Sequence, residues 1–81
     1  MEWVDRLASE LGLEALSAHE RDHLLSASRE VAHRVERKAT PWAMYVVGLA
    51  VGKQLGDRKR DDAIEDAIHA LLLRLPPEEP S

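Results

Sequence analysis

The sequence predicts an all-α fold: a compact four-helix domain with a central apolar third helix. Three observations predict it. Apolar residues recur three and four apart along most of the chain, and nowhere do they alternate in the two-residue rhythm of a strand. Helix start and stop signals divide the chain into four segments with short connections between them. Twelve consecutive residues, Pro41 to Gly52, carry no charge and almost no polar atom. A helix that is apolar on all sides asks to be enclosed by others, so this segment is expected to be the least exposed element.

The first helix places Trp3, Val4, Leu7 and Leu11 on one face. Gly12 then reads as a left-handed C-terminal cap, with Leu13 folding back behind it. Ser17-Ala18-His19-Glu20 has the S-x-x-E form of a capping box and opens the second helix. Its expected buried stripe is Leu24, Leu25, Ser28, Val31, Ala32 and Val35, and it fades through the cations Arg37 and Lys38. Thr40 as cap and Pro41 at the first helical position start the third helix. That helix runs to about Leu55, where Gly56 stops it. Asp57 or Asp61 opens the fourth, with Ile64, Ile68, Leu71, Leu72 and Leu75 as core stripe and Pro76-Pro77 as terminator. Loops this short predict antiparallel packing of consecutive helices. Trp3 and Trp42, both near helix starts, are expected core anchors, whereas Leu73 lies opposite the stripe of its helix. Residues 1–75 are read as one domain and 76–81 as a disordered Pro/Glu tail.

Composition excludes several function classes. At 81 residues the chain is near the lower limit for a core without staples. It has no cysteine, which removes disulfides, thiolate metal sites and cysteine nucleophiles, and the cytoplasm is the default compartment. A net charge of −4 argues against nucleic-acid or anionic-membrane partners. The opening M-E-W-V-D-R interleaves acid and base and does not read as a signal peptide. The apolar run would cover roughly 18 Å as a helix, against ~30 Å of hydrocarbon.

One motif has a catalytic form. His19-Glu20-Arg21-Asp22-His23 matches H-E-x-x-H, in which two histidines four apart share a helix face and can hold zinc while the glutamate activates a bound water. Four features oppose a small zinc hydrolase. Glu20 is the capping-box residue. The expected core stripe puts His19 and His23 on the water-facing side. The next carboxylate on their stripe, Glu30, stands roughly 10 Å further along the axis. The continuation L-L-S-A-S-R also lacks the glycine and third histidine of one large class of such enzymes. His19 and His23 remain a weak metal candidate. No catalytic residue and no cofactor is assigned.

Two further constellations bear on binding. Gly48, Gly52 and Gly56 recur every four residues and form one strip beside Tyr45. Close approach by another helix of the chain is the plain expectation; a homodimer seam or a shallow ligand groove are the alternatives. Around the turn between the second and third helices stand His33, Arg34, Arg37 and Lys38, beside the N–H groups opening the third helix. There an anion such as a phosphate or pterin nucleotide could bind, although solvated cations complementing the helix dipole explain the same residues. Lys53 with Arg58-Lys59-Arg60 faces Asp57, Asp61 and Asp62, which points to local charge pairing. Ser17 stands in A-L-S-A-H and lacks the attachment setting of an acyl carrier protein.

V-A-H-R-V-E-R-K-A-T-P-W, continuing into Y-V-V-G-L-A-V-G, together with the opening W-V-D-R-L-A-S-E-L-G-L, resembles a small helical domain of actinobacteria without an established function. That domain occurs alone or attached to molybdenum cofactor guanylyltransferase-like proteins. The resemblance spans roughly Glu2 to Gly52 and departs from the pattern at Lys38 and Ala39, where a proline is more usual. It implies a cytosolic, non-enzymatic accessory or interaction module linked to molybdenum cofactor biosynthesis. The implied partner is a guanylyltransferase-like protein or a second copy, and no catalytic residue carries over.

Overall fold

The helices begin and end close to their sequence signals, with instructive exceptions. The computed structural model describes residues 2–78, which form α1 (Glu2–Glu10), α2 (Ala18–Arg34), α3 (Ala39–Gln54) and α4 (Arg60–Leu73), with no strand among them. The chain is an all-α four-helix domain. α1 closes as expected: Gly12 has φ +76°, its N–H reaches Ser9 O at 3.0 Å, and Leu13 N–H reaches Ala8 O at 2.8 Å. These two bonds satisfy carbonyls that the helix end would leave bare. α2 opens with the full capping box. The Ser17 hydroxyl accepts from Glu20 N at 3.0 Å, and the Glu20 carboxylate accepts from Ser17 N at 2.8 Å.

The start of α3 differs from expectation. It begins at Ala39, with Lys38 in the cap position and no side-chain cap. Ala39 and Thr40 donate their N–H groups to Glu36 O and Arg37 O, which winds the turn into the helix before threonine can cap it. The Thr40 hydroxyl is left buried without a partner. At the other end Gly56 has no positive φ, so it does not act as a left-handed stop. α4 likewise opens on Arg60, capped by neither aspartate, although Asp61 and Asp62 occupy its first turn, where the helix dipole favours them.

One ion pair and one hydrogen bond to a backbone carbonyl give the directions of the helices. Glu20 and Arg60 join the starts of α2 and α4; Arg34 and Pro76 O join their ends at 3.0 Å. These two helices therefore run parallel, and α3, connecting the end of one to the start of the other, runs antiparallel to both. All three pack on one another around Ala27, Val47, Val51, Ala63, Ile64 and Ile68, with Leu24, Met44, Ala67 and Leu71 at the margin.

Three expectations about burial are corrected. α1 packs against none of the other helices, so Trp3 is 63% exposed and its apolar face is unpartnered. The Cα radius of gyration, 13.4 Å, exceeds the ~12 Å of a compact chain this long for the same reason. α3 is not enclosed. Val47 and Val51 turn inward, but Trp42, Tyr45, Val46 and Leu49 are more than half exposed, because α2 and α4 cover only one side of it. On α2 the buried line is Glu20, Ala27 and Val31, while Leu25 and Val35 face out. Capping and ion pairing draw Glu20 inward and rotate the helix by about 75° from the purely apolar stripe. Leu73, 70% exposed, stands where the wheel placed it. No described helix is long and apolar enough to cross a membrane.

The first residues of the tail are held against the end of α2. Arg34 Nε donates to Pro76 O, and His33 Nε2 lies 2.8 Å from Glu78 Oε1. The remainder of the tail, 79–81, lies outside the described residues.

Candidate functional site

The H-E-x-x-H segment is built as a structural joint. Glu20 is 2% exposed and is the one charged side chain buried among the described residues. Its two oxygens face Arg60 as a fork, with Nε at 2.5 Å from Oε2 and Nη2 at 2.7 Å from Oε1. Arg60 also donates to Glu14 O and Ala15 O, so one guanidinium ties the approach to α2, its first turn and the start of α4. The hydrogen bond that Arg60 donates to Glu20 holds Arg60 above even the ordinary arginine range, against the opposing effect of burial. The Ser17 hydroxyl completes the joint by donating to Asp61 at 3.1 Å. Arg21 adds a bond to Leu16 O.

A glutamate so engaged is no general base for a water outside the bundle. His19 and His23 do share a face, their rings 4.3 Å apart edge to face. His23 is half-buried, a consequence of the rotation of α2, and only His19 is fully turned to water. No group of three histidine, aspartate or glutamate side chains that could hold a metal occurs among the described residues.

His33, Arg34, Arg37 and Lys38 stand at the turn from α2 to α3, and two of the four are engaged. His33 meets Glu78; Arg34 meets Pro76 O and, at 3.4 Å, Glu30. The N–H groups expected to face an anion are those of Ala39 and Thr40, already bonded to the turn carbonyls. Arg37 and Lys38 stand exposed. In the second basic cluster Arg58 pairs with Asp66 and Gln54, and that carboxylate holds Arg58 above its ordinary range. Of the aspartates expected to face this cluster, Asp61 takes the Ser17 hydroxyl, so the pairing is more distant in sequence than expected.

The glycine strip has no helix against it. A Cβ built at Gly48, Gly52 or Gly56 would meet nothing within 4 Å. Close packing within the chain is therefore not the reason for these glycines. Tyr45, beside them, is 66% exposed.

What the sequence did not reveal is a groove. On the side of α3 next to its outward stripe, α2, α3 and α4 leave between them a cleft of about 580 Å³. Val31, Val35, Ala43, Val47, Ala67 and Leu71 line it, with Arg74 and Asp66 at its edge. Alanines on facing helices leave this space: Ala39, Ala43 and Ala50 of α3 stand towards Ala67 and Ala70 of α4. That pattern was present in the sequence, but its meaning depends on which faces meet.

No curated protein and no solved structure matches the chain. The family is shown by a family model described as Domain of unknown function (DUF6457), which matches residues 1–79; the chain belongs to that family.

Proposed function

We propose that this domain is a non-enzymatic accessory module that binds a protein partner, and that the groove between α2, α3 and α4 receives an apolar helix or strap of that partner. The observation that carries the reading is the groove itself: an open apolar cleft of about 580 Å³ floored by valine, alanine and leucine. Grooves of this shape take amphipathic segments, whose anchors at helical spacing fill the gaps between small residues. The resemblance of Val31 to Trp42 and of Tyr45 to Gly52 to an actinobacterial domain attached to guanylyltransferase-like proteins supports such a protein as the partner, and with it a role near molybdenum cofactor biosynthesis. A hydrolase built on His19, Glu20 and His23 finds no support, because Glu20 is bonded inside the bundle. Anion binding is not favoured at the α2–α3 turn, where His33 and Arg34 already have partners.

The test is a titration of the isotope-labelled domain with the molybdenum cofactor guanylyltransferase of the same organism. Resonances of Ala43, Ala67 and Leu71 are expected to shift, and Ala70→Glu to abolish the effect. Absence of binding at about 100 μM would remove the proposed partner. Binding untouched by Ala70→Glu would remove the groove as its site.

A further inference from the structure

We infer that the outward face of α3 is the seam of a symmetric antiparallel dimer, in which Tyr45 and Trp42 of each copy pack into the glycine strip of the other. The inference does not rest on the groove or on the partner proposed for it.

The face is apolar, contiguous and uncovered. At 100° per residue, Tyr45, Leu49, Trp42 and Val46 fall within one 100° sector of the helix. They are 66%, 54%, 67% and 63% exposed. Four such side chains in a row are not the scattered single apolar residues of an ordinary surface. Beside them runs the strip of Gly48, Gly52 and Gly56, for which neither conformation nor packing within the chain gives a reason. None has a positive φ, and nothing lies within 4 Å of where a Cβ would stand.

The order of residues along the helix supplies what a second copy needs. Bulk lies towards the N-terminal end of the face and glycine towards the C-terminal end. Place a two-fold axis between Gly48 and Leu49, with the helices antiparallel. Tyr45 then stands opposite Gly52 of the partner, Leu49 opposite Gly48, and Trp42 opposite Leu55 beside Gly56. Tyr45 and Leu49 each meet a glycine, Trp42 lies against Leu55 next to Gly56, and the same contacts recur on the other side of the axis, as an isologous interface requires. A parallel pair would set Trp42 against Trp42 and leave the glycines facing an empty space.

The area is sufficient. The four exposed apolar side chains offer about 500 Å² per copy, on the usual size of aromatic and aliphatic side chains. With the glycine backbone and the stems of flanking residues this approaches the ~800 Å² per partner of a stable interface. The groove shares only Val46 with this face, so both surfaces can be occupied together.

The chain has no cysteine, which makes the test direct. Sedimentation equilibrium of the whole chain is expected to show dimers. Gly52→Leu, which meets no atom of its own chain, is expected to weaken association at least tenfold while the helical circular dichroism of the dilute protein stays unchanged. Gly48→Cys, next to the axis, is expected to form an intermolecular disulfide faster than the exposed control Glu65→Cys under the same mild oxidation. A wild-type chain that stays monomeric at about 1 mM, where even weak specific pairs associate, would overturn the inference. So would a dimer indifferent to Gly52→Leu, or cross-linking at Gly48→Cys no faster than at the control.

Discussion

Replacing Glu20 by alanine is expected to destabilise the domain by about 3 kcal/mol, which follows from what this side chain does. Its removal deletes half of a capping box: the Ser17 N–H loses its acceptor, at a cost of about 1 kcal/mol. It also strands Arg60. Breaking a fully buried pair by deleting one partner costs about 3–5 kcal/mol, because the other charge stays uncompensated. The Arg60 side chain is 26% exposed and keeps Glu14 O and Ala15 O, so water and two carbonyls compensate part of that, leaving about 2 kcal/mol. A domain this small has a total stability of roughly 4–12 kcal/mol, so the loss is a large share of it.

Urea unfolding followed by far-ultraviolet circular dichroism measures the effect. With a slope near 1 kcal/mol per molar, expected for this size, the midpoint should fall by about 2–3 M. Glu20→Gln keeps an oxygen for the Ser17 N–H but loses the charge, and should fall between the two. The double variant Glu20→Ala with Arg60→Met should be less destabilised than the sum of the single variants, since removal of the glutamate has already forfeited the pair. A Glu20→Ala loss under about 0.5 kcal/mol, or strict additivity in the double variant, would refute the role assigned to this joint.

Three shorter predictions follow from burial. Val47→Asp places a charge where the native side chain is 4% exposed and should abolish the thermal transition, while Leu49→Asp, at a position 54% exposed, should keep native helicity in dilute solution; circular dichroism separates them. Gly48→Ala, with open space around its Cβ, should stabilise the isolated chain by about 0.5–1 kcal/mol in a urea melt at low concentration, by removing the helix penalty of glycine. His19→Ala with His23→Ala should change stability by less than about 1 kcal/mol, and equilibrium dialysis should find well under one zinc per wild-type chain, because the pair has no third ligand among the described residues.

Features decided by neighbouring residues were legible in the sequence. Leu11-Gly12-Leu13 and Ser17-x-x-Glu20 each state a complete local hydrogen-bond pattern, and both form as written. Of the stripe expected on α4, Ile64 and Ile68 are buried and Leu71 is half-buried, whereas Leu72, at the edge of that stripe, faces out. The segment Pro41 to Gly52 has no polar side, so nothing in it says which half faces α2 and α4; enclosure was the expectation, and exposure of Trp42 and Tyr45 was the outcome. The Glu20–Arg60 pair spans 40 positions and required knowing that α2 and α4 run parallel. The second basic cluster was read against its nearest aspartates for want of that topology. The apolar face of α1 showed that Trp3, Leu7 and Leu11 ask for cover, but amphipathicity does not name what supplies it.

The core also explains why so much apolar surface is left. Among the described residues it consists of alanine, valine and isoleucine, with no buried aromatic and no fully buried leucine. Small side chains let α2, α3 and α4 approach closely, yet they bury little area each, and they open the groove where alanines face one another. The large side chains are elsewhere: Trp3, Trp42, Tyr45 and several leucines stand on the outside. A sequence selected only to fold alone would gain by exchanging these positions, with bulk inside and polar residues out. The reverse arrangement concentrates available hydrophobic free energy at surfaces. It places bulk beside the glycines of α3 and beside the groove, where a second chain can use it. The Glu20–Arg60 joint fits this division, because polar bonds at one end, with the Arg34 bond to Pro76 O at the other, set α2 against α4 without large apolar side chains between them. The partner and the second copy proposed above would complete the packing that the interior leaves unfinished.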